Sequence, residues 1–84
     1  MKETLSNSTN EEIEKFYIRT SQKIRTLREE KGITQLDLAL DIGIKSVAFY
    51  SNCENNKYDK HFNLEHLYKI AKALDVELCK LISE

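Results

Sequence analysis

Few side chains in this chain of 84 residues are equipped to make or break bonds. His61 and His66 are five apart, one in a polar loop and one on an expected helix, so they do not share a helix face. Cys53 and Cys79 have no close-spaced ligand partners, which argues against a zinc centre. They read instead as two reduced thiols filling small apolar space. There is no nucleophile elbow, no phosphate-cradling glycine loop and no paired-carboxylate motif. The expectation is therefore no catalysis, no metal, no cofactor and no small-molecule ligand.

What remains is recognition chemistry, and the elements must show where it sits. The chain is 40% hydrophobic and 32% charged, with two Gly and no Pro. Such a composition favours helices and one small domain. No apolar run approaches a membrane span, and the opening MKETLSNSTNEE lacks the apolar core of a signal peptide. A cytoplasmic protein is expected. The net charge of −1 counts against an unspecific nucleic-acid coat. Residues 1–17 hold two Lys against four Glu, whereas residues 18–34 hold five basic side chains against Glu29 and Glu30. Any phosphate contacts must come from a local patch.

Residues 1–8 read as a polar, frayed start. Ser8 with Glu11, or Thr9 with Glu12, has capping-box spacing. Ile13, Tyr17, Thr20, Ile24 and Leu27 then follow a helical stripe to a stop at Gly32, with a break near Thr20-Ser21 as the alternative. Thr34 caps a second helix, with Asp37 as a weaker capping-box partner, and Leu38, Ala39 and Ile42 form its inner face. Ser46 caps a third helix, expected from Val47 to about Cys53. Asn63 caps a fourth, whose apolar face is Leu64, Leu67, Ala71 and Leu74 with Ile70 and Tyr68 flanking it, and Asp75 ends it. Val76, Leu78, Leu81 and Ile82 predict a short fifth helix.

The informative stretch is TQLDLALDIGIKSVAFYSNCENN. Two short helices meet across a tight turn, where Gly43 is expected at positive φ. The small Ala39 lets them cross closely. One face of the second helix is left to solvent, sized for a major groove about 12 Å wide.

With IRTLREEKGITQLDLA, then IG, SVAFYSNCEN and NLEHLYKIAKALDV in order, residues 22–82 resemble the Cro/C1-type (XRE) helix-turn-helix family. The turn Gly43–Lys45 is one residue longer than that family's norm, and the loop over residues 57–62 about two. The resemblance implies an all-α, compact five-helix lambda-repressor-like domain over residues 18–84, carrying its motif at about 34–54. Residues 1–17 would precede it as a polar start and helical extension.

Aligned on Ser46 as N-cap, Phe49, Tyr50 and Cys53 take the family's inward positions. Val47, Ala48, Ser51 and Asn52 then face outward as base readers. Ser and Asn hydrogen-bond base edges, and Val and Ala suit a thymine methyl. With no Arg or Lys on this face, half-sites containing A·T pairs are expected. By the same resemblance Gln35 grips a phosphate. Lys45, Asn55, Lys57, Tyr58 and Lys60 flank the helix and either hold the strands or form a solvated surface. Arg28 and Glu54 are implied as a structural ion pair that locks the recognition helix to the first helix.

The implied function is sequence-specific binding of double-stranded DNA as a small repressor or controller, working as a homodimer. A protein-binding module or antitoxin-like protein with the same fold is the competing reading. Two dimer surfaces are open: helix 5 through Leu78, Leu81 and Ile82, or the N-terminal helix through Ile13, Phe16 and Tyr17.

Overall fold

A computed structural model describes residues 9–83. Five α-helices follow one another, and no strand occurs among the described residues: α1 (Asn10–Glu30), α2 (Gln35–Asp41), α3 (Val47–Asn55), α4 (Leu64–Leu74) and α5 (Leu78–Ile82). A single 3-10 turn, Lys57–Asp59, separates α3 from α4. The all-α expectation holds. Residues 1–8, read as a frayed start, and the cap option at Ser8 lie outside the described residues.

Local chemistry sets most boundaries. Thr9 Oγ1 accepts from the Glu12 N–H at 3.0 Å, and the Glu12 carboxylate accepts from the Thr9 N–H at 2.8 Å, a complete capping box for α1. Thr34 caps α2 by accepting from the Asp37 N–H at 3.0 Å, without the reciprocal bond that would close a box. Ser46 caps α3 and Asn63 caps α4. Left-handed residues stop the helices: Asn56 after α3 and Asp75 after α4. Gly43, at φ +83°, makes the turn between α2 and α3.

α1 runs unbroken through Thr20 and Ser21, so the alternative break does not occur. Its 21 residues span about 31 Å. Its buried residues begin only at Thr20, while residues 10–16 are all exposed. The first two turns thus stand clear of the body. Tyr17 is where the helix meets it, stacking on the His61 ring with centroids 3.7 Å apart.

The core joins Ile24 of α1, Leu38 and Ala39 of α2, Tyr50 and Cys53 of α3, Ile70 and Leu74 of α4, and Leu81 of α5. Four expectations change here. Leu64, expected inward, is 77% exposed, and Ile70 takes the central place instead. α3 extends to Asn55, and α5 begins at Leu78 with Glu77 at its N-cap. Leu81 is fully buried and Leu78 partly so, which removes most of the apolar surface helix 5 was expected to offer a second copy. α5 is too short to bury its stripe anywhere but against α1 and α4.

The α4 cap carries a pH dependence. His66 Nδ1 accepts from the Asn63 N–H at 3.1 Å, and the His66 N–H donates to Asn63 Oδ1 at 2.7 Å. Only an unprotonated Nδ1 can accept. Burial lowers the pKa of His66, the neighbouring Glu65 opposing. The cap's contribution is therefore fully present above the ordinary histidine value of 6.5 and is lost as pH falls through the lower folded-state value. A cap of this kind is worth about 1 kcal/mol. Melting curves between pH 7.5 and 5.5 should show wild type losing stability that His66→Gln, whose amide oxygen still accepts, retains. Parallel curves would refute it.

Candidate nucleic-acid interface

α3 has two sides of opposite character. Tyr50, Cys53 and Glu54 point into the protein and are almost entirely buried. Val47 and Ala48 are exposed, and Ser51 and Asn52 are half-buried at the surface. Phe49, expected inward, is 36% exposed and sits at the rim, its ring edge-on to His66 with centroids 6.3 Å apart. The interior behind α3 is already filled by Tyr50 against Phe62, centroids 5.2 Å apart, so Phe49 is left at the margin.

The inward side is held by a buried carboxylate. Glu54 Oε2 accepts from Arg28 Nε at 3.0 Å and from the Tyr50 hydroxyl at 2.6 Å. Its Oε1 accepts from Arg28 Nη2 at 3.1 Å, Gln35 Nε2 at 3.0 Å and Arg25 Nε at 3.3 Å. One side chain of α3 is thereby tied to two of α1, one of α2 and one of its own helix. Burial alone pushes the Glu54 carboxyl up, but the bonds from Arg28, Tyr50 and Gln35 outweigh it and hold the group below the usual carboxylate range. The same pairing with Glu54 raises Arg28, against its own desolvation. Tyr50 is pushed well above an ordinary phenol, first by burial and then by its bond to Glu54. Arg28 Nη1 also donates to the Ile33 carbonyl at 2.8 Å, fixing the chain between α1 and α2.

A smaller set of bonds ties the end of α3. Ser21 Oγ lies 3.3 Å from the Cys53 carbonyl and 3.4 Å from Asn56 Oδ1. Asn55, expected to reach outward, is committed within the protein. Its Nδ2 donates to the Ser51 carbonyl at 2.9 Å and to Ser51 Oγ at 3.2 Å, and its Oδ1 accepts from Arg25 Nη2. Gln35 likewise has one amide proton engaged by Glu54. Ser46 Oγ accepts from the Phe49 N–H at 3.1 Å, so its hydroxyl caps α3.

Lys45, Lys57, Tyr58 and Lys60 are exposed around the two ends of α3. Tyr58 is 78% exposed and, with Asp59, holds a left-handed backbone that costs an aromatic residue about 1 kcal/mol. That turn projects the phenol away from the core, beside Lys57.

Sequence reasoning missed Arg25, Tyr50 and Ser21 as partners of this assembly. A signal existed for two of them. Arg25 precedes Arg28 by three and Tyr50 precedes Glu54 by four, so each shares a helix face with a member of the pair. No group of His, Cys, Asp and Glu suited to a metal is found among the described residues. No described helix is long and apolar enough to cross a membrane.

A family model described as helix-turn-helix matches residues 24–81. Comparison with curated proteins and with solved structures finds no match. The matched span covers α2, the Gly43 turn, α3 and the carboxylate that anchors it. A chain with this motif over most of its length belongs to the Cro/C1-type (XRE) helix-turn-helix family of DNA-binding domains.

Proposed function

We propose that the protein binds double-stranded DNA sequence-specifically as a small transcriptional regulator of the repressor or controller type. α3 enters the major groove with Val47, Ala48, Ser51 and Asn52 toward the bases. The observation that carries this reading is the asymmetry of α3: mostly small or polar outside, with Phe49 at the rim, and clamped to α1 and α2 through Glu54 inside. A helix held so firmly presents its outer side in one orientation, which base reading requires. Gln35, Lys45, Lys57 and Tyr58 are the phosphate contacts we assign. Ser46 sits at the groove end as the cap, and Asn55 acts through its bonds to Arg25 and Ser51.

The protein acts in this reading as a homodimer, since one short helix reads few base pairs. With Leu81 buried, the exposed first turns of α1, bearing Ile13 and Phe16, are the surface we assign to the second copy. The acidic Glu11, Glu12 and Glu14 keep that arm off the phosphates.

Selection of bound duplexes from random DNA tests the reading. The expected sites are inverted repeats with A·T-containing half-sites about one helical turn apart. Affinity should fall steeply with salt as counterions are released. No enrichment at low salt would reject it. One observation favours a protein partner instead: Leu36 and Leu40 form an exposed apolar pair on α2. That reading gains if the selection fails.

A further inference from the structure

The bonds at the C-terminal end of α3 decide more than its position. Arg25 can only donate, and it donates to Asn55 Oδ1. The oxygen end of the Asn55 amide is therefore turned to α1, and the NH2 end to Ser51. Two amide protons are enough for both observed bonds, to the Ser51 carbonyl at 2.9 Å and to Ser51 Oγ at 3.2 Å. Ser51 Oγ is thus an acceptor on the side that faces Asn55. No hydrogen bond donated by the Ser51 hydroxyl is found among the described residues.

Resting on the DNA-binding reading above, we infer that Ser51 meets its base pair as a hydrogen-bond donor, with Arg25 setting that polarity through Asn55. A free serine hydroxyl turns to suit donor or acceptor and discriminates poorly. With one lone pair engaged by Asn55, the hydroxyl proton is left free to donate into the groove. The base edges that fit are acceptors: a purine N7, guanine O6 or thymine O4. The exocyclic amines of adenine and cytosine, which only donate, are the poor matches. Arg25 and Asn55 are positioning residues for this choice, and neither needs to touch DNA. This narrows the expected A·T preference at one base pair, where thymine O4 or a purine N7 faces Ser51.

The test is a selected duplex and its single-base-pair variants, bound by wild type and four substituted chains. In Asn55→Asp the carboxylate still accepts from Arg25 but has no proton for Ser51. The Ser51 hydroxyl then donates to that carboxylate and presents lone pairs to the groove. Overall affinity drops from the added charge, but the readout is relative preference. Wild type should favour the acceptor edge at one base pair by roughly fivefold, the worth of one hydrogen bond. Ser51→Ala should flatten the preference at that pair, and Asn55→Asp should reverse it toward cytosine or adenine amines. Arg25→Met should move it toward the Ser51→Ala profile, while Arg25→Lys, still a donor, retains more of it. If wild type binds and Asn55→Asp keeps the wild-type order of preference, the inference is wrong. If Ser51→Ala changes no preference, it is also wrong. If wild type binds no duplex, the DNA-binding reading fails and takes this with it.

Discussion

Arg28→Ala is expected to cost about 3–5 kcal/mol of folding stability, the loss typical of breaking a buried ion pair from one side. Glu54 is left at 2% exposure, having lost both of its bonds from the Arg28 guanidinium. An 84-residue domain has a total stability of roughly 4–12 kcal/mol, so much of the variant would be unfolded at growth temperature. Glu54→Ala should be similarly damaging, because it strands Arg28 beside the Tyr50 hydroxyl. The paired change Arg28→Met with Glu54→Leu should lose less than either single change, because it leaves no buried charge unpaired. Urea unfolding of the four chains measures this. A loss under about 1 kcal/mol for Arg28→Ala would mean the pair behaves as a surface bridge. The depressed carboxyl adds an acid limb. Its stabilising share is present above the ordinary value of 4.5 and disappears as pH drops through the folded-state value, so Glu54→Gln should flatten stability below pH 4.5.

The second large effect concerns binding and leaves the fold alone. Ala48→Glu places a carboxylate on the exposed side of α3, where the structure shows no contact to lose. A surface change of this kind usually moves stability by no more than about 0.5 kcal/mol. Between two phosphate strands the same charge is unpaired and repelled. Specific affinity should fall by about a hundredfold or more, a cost of about 3 kcal/mol. Fluorescence anisotropy on a selected duplex, beside a melting curve, separates the two quantities. Unchanged affinity would place the DNA elsewhere. A collapsed melting curve would mean Ala48 has a packing role.

Much of the fold was legible because helix ends are set by local chemistry. Thr9, Thr34, Ser46 and Asn63 each cap a helix through a bond to the third residue on, and that spacing is visible in the chain itself. Gly43 could be read for the same reason, since a tight turn at positive φ admits few residues. The errors arose where an apolar residue had a choice of neighbours. Phe49 and Leu64 sit at helical spacing for burial, yet Tyr50 and Ile70 occupy the available interior. Leu81 is read as surface only if α5 is imagined without α1 and α4 behind it.

The site was legible in its residue types more than in its wiring. Ser51, Asn52 and Asn55 could all be picked out as hydrogen-bonding groups near a recognition helix. Which of them turns outward depends on where Arg25 of α1 crosses α3, a distance of 30 residues in sequence. Spacing along one helix does not report that crossing. The same holds for Gln35, whose bond to Glu54 links two helices 19 residues apart.

The most direct test of the central claim is an NMR titration of the isotopically labelled protein with a selected duplex. If α3 reads the groove, the largest amide shifts cluster at Val47, Ala48, Ser51 and Asn52, with a second group at Gln35 and Lys45, and the α1 arm stays still. Shifts gathered on the arm or on α5, with the outer side of α3 unmoved, would contradict it.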